Sequence, residues 1–464
     1  MKKMRPKQLN HLGVAVTACG ALVCVWLARN RVRGPLVEEV RRNRGTTSDT
    51  RTRGLDLRQA VVLFRHGART PLTVLPYLPE VQWNSDLLQT PSYTLFDYVT
   101  MDEHGVPRSA STDVATLLPN GVPRGELTRI GMEQAYHLGL HLRDLYIHQR
   151  PLLSPSFKSQ EIYIRSTDTK RTIESARCVL AGLFLQKQEE PAKIVVARLE
   201  EEVLFPNYIC CARLKELLRM MFGNSHKLPD LLKDKEALHA LLHLPVDSRG
   251  PDFIALRDVL VARQTHGLPV SLELHDWLPK VEQRATQMML SGIGTEQSTE
   301  VLQLSSGPLL NLILQNMEEI VEGKKSPQLL LYSCHDTTLL PLLPVLGIWG
   351  SREKEQGVPV GEMKPSAETW PPFAASLCID LLHEAESGKH FVQVSYLNQD
   401  GTSIQLMIWS ILQPFRLPGC TSEPCPWSEF HALLAPFALS VQEYAKKCVG
   451  SDAKPTAEPN AMTQ

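Results

Sequence analysis

Three short apolar runs, each ending at polar residues, constrain the fold of this chain more than any other feature. Leu57 to Phe64 (LRQAVVLF) meets Arg65-His66-Gly67. Glu161 to Ile164 (EIYI) meets Arg165-Ser166-Thr167-Asp168 and then a helical stretch through Phe184. Gln328 to Ser333 (QLLLYS) meets Cys334-His335-Asp336 and a helical run around Leu339 to Leu346. Runs this short and this apolar read as strands buried on both faces, inside a sheet that helices cover. The expected class is therefore α/β, a three-layer sandwich with a central mixed sheet flanked by helices. Such sheets bind ligands beyond the carboxyl ends of their strands. Arg65, His66, Arg69, Arg165, His335 and Asp336 are accordingly expected around one crevice.

A mainly helical stretch from about Pro206 to Leu304, broken by prolines at 229, 245, 251 and 269, separates the second and third runs. It predicts a helical cap, 206–304, inserted into a sheet domain made of 55–205 and 305–449. Ser351 to Thr369 is polar with Gly and Pro and reads as a surface insert, and 450–464 as a disordered tail.

The first 34 residues have another character: no acidic residue before Glu38, an apolar run from Leu12 to Ala28, and basic residues on both sides. That is a targeting or membrane-anchoring segment, followed by a basic, polar linker over 35–54. The pattern suits a mitochondrial address or a secretory signal-anchor, and membrane association would run through residues 12–28. With 49 basic and 50 acidic residues the formal net charge is -1, so no overall field draws nucleic acid and any anion site must be local. The ten cysteines include no CxxC pair, although Cys420 and Cys425 are spaced to close a small loop. His239 and His243 stand four apart without the glutamate or third ligand of a zinc site, and no Walker or GxSxG motif occurs. Neither a metal nor a cofactor is expected.

The most informative stretch is Arg65-His66-Gly67-Ala68-Arg69-Thr70-Pro71. It sets an imidazole between two guanidinium groups, and guanidinium matches phosphate oxygens bidentately. Neighbouring positive charge disfavours protonation of His66, which leaves a ring nitrogen free to attack phosphorus. Arg65, Arg69 and Arg165 would neutralise the transferring group, and His335 would donate to a phosphate oxygen. Asp336 is the candidate donor of the proton that a leaving alkoxide needs, and Gly67 is expected to let the backbone come close to the ligand. Alone, an RHG triplet is an ordinary turn, Arg165 an ion-pair partner and Asp336 a helix cap. Their joint appearance at strand ends favours the chemistry.

These residues resemble the histidine acid phosphatases, the capped branch of the histidine phosphatase superfamily. The resemblance runs from about Leu57 to Cys448 and includes Leu127-Thr128-Arg129-Ile130-Gly131 with Gln134, and the IRSTDTKRTIES segment. It implies that His66 is the nucleophile, Asp336 the proton donor, and Arg65, Arg69, Arg165 and His335 the phosphate clamp. Val81 to Asn84, Leu180 to Phe184, Phe205 to Tyr208 and Trp370 to Ala374 are similar to the family members that act on lysophosphatidic acid. That implies a lysophospholipid as the small-molecule phosphomonoester, with Trp83, Leu87, Leu88 and Phe205 as wall residues for its chain. The segments 351–369 and 401–417 depart from the family pattern. A phytase-like enzyme of wider specificity, a phosphate mutase and a non-catalytic phospholipid-binding membrane protein are the competing readings.

Overall fold

The computed structural model describes residues 54–449 apart from 109–115, 120, 226–227, 247, 249, 293–294, 349–369, 401–407 and 412–415. The leader, nearly all of the linker, the insert 351–369, most of 401–417 and the tail 450–464 lie outside the described residues.

β1 (Leu55–Arg65) is buried without interruption over its last seven residues, so it can only lie inside a sheet covered on both faces. The other strands are β2 (Tyr98–Met101), β3 (Ile162–Ser166), β4 (Ala192–Val196), β5 (Leu329–Cys334), β6 (Ser376–Glu384), β7 (Lys389–Asp400), β8 (Ile408–Ile411) and β9 (Cys425–Pro426). They form one mixed sheet in the order β2-β4-β3-β5-β1-β6-β7-β8, with β9 added to β7. The half from β2 to β1 is parallel and the half from β1 to β8 is antiparallel.

Two helices cover one face: α1 (Arg129–Arg143), continued by a π-helical turn at Asp144–Gln149, and α2 (Lys170–Phe184). Four more precede a seventh: α3 (Ala212–Ser225), α4 (Pro229–Leu241), α5 (Phe253–Thr265) and α6 (Leu272–Met289). α7 (Ser298–Val321), α8 (Asp336–Val345) and α9 (Trp427–Leu434) cover the other face, and α10 (Val441–Lys447) closes the described chain. Alternate residues of β1 feed the two cores: Val62 and Phe64 join Leu138 and Ile173, while Val61 and Leu63 join Ile313, Leu342 and Phe430. That alternation is the three-layer sandwich expected from the strand pattern.

The helices α4 to α6 share a third core, where Leu231, Phe253, Leu256 and Val281 pack with Leu78, Leu340 and Trp370. Pro229 opens α4, Asp252 caps α5 by accepting from Ile254 N and Ala255 N, and Ser271 caps α6 by accepting from Leu274 N. α7 runs unbroken through position 304, where the sheet domain was expected to resume. Disulfides join Cys420 to Cys425, as their spacing allowed, and Cys211 to Cys448 across 237 residues. Among the described residues no helix is long and apolar enough to cross a membrane.

Candidate active site

Strand register brings the site together. β1 and β3 flank β5 in parallel, with Arg65 opposite Cys334 and Ser166 opposite Ser333, so three strands end at one level. His66, Thr167 and His335 follow directly. His66 N donates to Cys334 O at 3.0 Å, and the His66 and His335 rings lie 5.5 Å apart, edge to face.

The His66 ring is 2% exposed, and its Nδ1 is 2.8 Å from Gly67 O. A carbonyl oxygen only accepts, so Nδ1 carries the proton and Nε2 keeps a free lone pair. Gly67 was expected to give room to a ligand. What it admits instead is another piece of backbone: a Cβ there would run into the carbonyl of Gly131, and one at Gly131 into that of Ala68. α1 and α2 hold the loop after β1 through Gln134 Oε1, which accepts from Ala68 N at 2.8 Å, and Ser175 Oγ, which accepts from Gly67 N at 3.1 Å.

Burial, then the charges of Arg171, Arg65 and Arg69 and the His335 ring, keep the His66 imidazole well below its ordinary pKa, so the ring is neutral. Arg65 Nη2 pairs with Asp336 Oδ2 at 2.8 Å, and Arg69 Nη2 pairs with Asp258 Oδ1 at 2.8 Å. Burial disfavours an ionised Asp336, but Arg65, Arg257, Arg69 and His335 outweigh it and hold the carboxyl well below the usual carboxylate range. His335 is pushed down by burial and then by Arg171, although Asp336 beside it acts the other way, and its Nε2 is 3.0 Å from Thr167 Oγ1. The result is a nucleophilic nitrogen amid arginines whose present partners are carboxylates. A phosphate dianion can replace those partners.

Five of the six residues picked from the sequence, Arg65, His66, Arg69, His335 and Asp336, meet here. Arg165 does not belong with them. β3 extends two residues beyond Ile164, so Arg165 is a strand residue in register with Tyr332 and Val195. Its guanidinium is held by Glu103 at 2.8 Å and Glu202 at 3.6 Å, and it is not among the largest influences on His66. Arg171, the second residue of α2, takes its place. A signal for this was present: a helix N-terminus favours acidic residues, and Lys170-Arg171 opens α2 against that preference.

Two further groups come from α5. Asp258 holds Arg69 and also accepts from Leu72 N at 2.8 Å, and Arg257 acts on both Arg65 and Asp336. Of the proposed wall residues, Phe205 lies 6.4 Å from the His335 ring, and Leu87 and Leu88 pack against a cluster containing Trp83. Trp83 also lines a cavity of about 300 Å³ with Pro71, Leu75, Leu78, Leu118 and Val259. His239 has an ordinary partner, Ser248 Oγ at 2.9 Å.

Comparison with known proteins agrees with this geometry. Residues 56–240 and 258–397 match the model of the histidine phosphatase superfamily, branch 2. The chain is 34% identical over 404 residues to the human lysophosphatidic acid phosphatase type 6, covering 85% of this chain and 86% of that one. It is 28% identical over 413 residues to mouse prostatic acid phosphatase, covering 85% and 90%. Among solved structures, the apo phytase of Hafnia alvei superimposes with a TM-score of 0.56 at 16% identity, over 85% of this chain and 98% of that one, a likeness of fold. The neutral His66, the arginines around it and the fold that carries them thus place this chain in branch 2 of the histidine phosphatase superfamily, as a phosphoric monoester hydrolase.

Proposed function

We propose that this enzyme hydrolyses lysophosphatidic acid to monoacylglycerol and phosphate through a phosphohistidine at His66 Nε2. The observation that carries the chemistry is the bond between Nδ1 and Gly67 O at 2.8 Å, which leaves Nε2 as the nucleophile of a neutral ring. Nε2 attacks phosphorus while the bond from phosphorus to the glycerol oxygen breaks. Arg65, Arg69 and Arg171 take the charge on the phosphoryl oxygens, and His335 donates to one of them. The leaving alkoxide receives its proton from Asp336.

In the resting enzyme Asp336 is a carboxylate paired with Arg65 at 2.8 Å. A bound phosphate draws Arg65 to itself and sets a second anion beside Asp336, which raises the carboxyl pKa and favours the protonated acid at low pH. In the second step Asp336 takes a proton from water as the water oxygen attacks phosphorus, the P–N bond breaks and phosphate is released.

The lipid substrate is supported by the name of the 34% identical relative and by the cavity whose apolar walls begin at Pro71, two residues past Arg69. Two closed disulfides also support folding in an oxidising compartment, reached through the basic, apolar leader. The test is phosphate release from lysophosphatidic acid and from inositol hexakisphosphate at mildly acidic pH. The lysophospholipid is expected to be the better substrate, and a strong preference for the inositol phosphate would remove the lipid claim. His66→Ala is expected to lose roughly 10⁴-fold or more of the turnover while staying folded.

A further inference from the structure

An indole bonds directly to the acid of the site, Asp336. Its Oδ2 accepts from Arg65 Nη2 at 2.8 Å and from Trp370 Nε1 at 3.0 Å, while its Oδ1 accepts from Thr337 N at 2.8 Å. Trp370 is 6% exposed and is stacked by Arg257, whose Cζ lies 4.3 Å from the ring centroid. Arg257 is itself buried, on α5, and is anchored by Glu282 of α6 at 2.8 Å. The residues after Trp370 close the other side: Pro371 O accepts from Arg65 Nη1 at 2.7 Å, and the Phe373 ring lies 4.2 Å from Arg65 Cζ. Arg257 falls between the stretches that match the family model, 56–240 and 258–397.

An indole N–H donates and never accepts. Either oxygen of a protonated carboxyl can still accept, so the indole on Oδ2 and Thr337 N on Oδ1 together fix the plane of the carboxyl in both of its protonation states. When substrate phosphate draws Arg65 away, the neutral indole has no charge to follow and stays. We propose that Trp370, backed by Arg257, is a positioning residue for the proton donor: it holds Oδ2 so that the carboxyl stays aimed to deliver its proton to the leaving alkoxide. This rests on the reading of Asp336 as the acid.

The charges that face Asp336 are Arg65 of β1, Arg69 of the following loop, Arg171 of α2, Arg257 of α5 and its own neighbour His335. Asp258 faces Arg69, and Glu282 faces Arg257. The indole and Arg257 both favour the carboxylate. Removing either raises the carboxyl pKa, keeps the acid protonated to higher pH, and moves the descending limb of the phosphoryl-transfer rate upward in pH.

The experiment measures phosphoryl transfer to the enzyme in single turnovers with glycerol 3-phosphate, whose alkoxide needs a proton, and with p-nitrophenyl phosphate, whose phenolate does not. Trp370→Phe is expected to slow the alkyl substrate about 10-fold and the aryl substrate far less, and to move the alkyl limb to higher pH. Arg257→Met, which leaves the indole in place, is expected to move the limb the same way, and Arg257→Lys to keep it near wild type. Equal losses on both substrates, or an unmoved limb in both Trp370→Phe and Arg257→Met, would overturn the proposal. Asp336→Asn separates the two claims. If it spares the alkyl substrate, the acid assignment itself falls; if it abolishes that turnover while Trp370→Phe leaves the substrate ratio intact, only the role of Trp370 falls.

Discussion

The sheet and the helices α4 to α6 both reach the phosphate pocket, but they are held there by different kinds of order. His66, His335 and Asp336 sit where three parallel strands stop, and main-chain hydrogen bonds such as His66 N to Cys334 O fix their level. Arg257 and Asp258 sit mid-helix on α5, and the packing of Phe253, Leu256 and Val281 with Leu340 and Trp370, with side-chain bonds such as Leu72 N to Asp258, brings them to the same place. The strand tips supply the reacting groups. The helical region supplies charges that hold those groups: Asp258 on Arg69, and Arg257 behind the indole on Asp336. A fold organised this way can vary what surrounds the phosphate without disturbing the attacking nitrogen.

The largest effect that separates the two kinds of contribution is expected inside the sheet half. Arg171→Ala should cost about 10²–10³-fold in kcat/KM, the scale of losing one charge-stabilising donor. Arg165→Ala should change kcat/KM only a few-fold and lower stability instead, because its partners are Glu103 and Glu202. Steady-state kinetics beside thermal melts decide between them, and the reverse ranking would return Arg165 to the clamp.

Asp258→Asn tests the helical side. The two oxygens of Asp258 serve different donors, Oδ2 for Leu72 N and Oδ1 for Arg69, so the amide keeps an acceptor for one of them and removes a negative charge from the edge of an anion site. Inorganic phosphate should then bind about 3- to 10-fold tighter as a competitive inhibitor. Weaker binding would show that the carboxylate matters for aiming Arg69 more than for competing with phosphate.

A smaller effect concerns Glu202, the buried partner of Arg165. Burial raises its carboxyl to about 7, despite the opposing charge of Arg165. A carboxyl whose folded pKa lies above the unfolded one gives stability that is whole below about pH 4.5 and is lost as pH rises through about 7. Glu202→Gln should therefore raise the melting temperature by a few degrees at pH 7.5 and hardly at all at pH 4.5. An equal change at both pH values would mean that the carboxyl does not titrate in this window.

What could be read from residues alone follows the same division. β1 and β5 are legible because consecutive buried residues leave few alternatives, and α2 ends at Phe184, as its pattern predicts. The error at Arg165 has a definite cause. Side chains alternate along a strand, so reading β3 as ending at Ile164 instead of Ser166 turns a structural residue into a ligand-facing one. Arg257, Asp258 and the indole of Trp370 carried no local signal, because helix packing and a turn far away in sequence decide what they touch. The pairing of Cys211 with Cys448 across 237 residues is of the same kind.

The central claim is chemical, and a trapped intermediate tests it most directly. Enzyme mixed with phosphorus-labelled substrate and quenched in base within the first turnover should carry one acid-labile, base-stable label per active site. Mass spectrometry should place that label on His66 Nε2, and the His66→Ala protein should take up none. A label on any other residue, or turnover with no labelled protein at all, would contradict a mechanism that begins with Nδ1 bound to Gly67 O and Nε2 free.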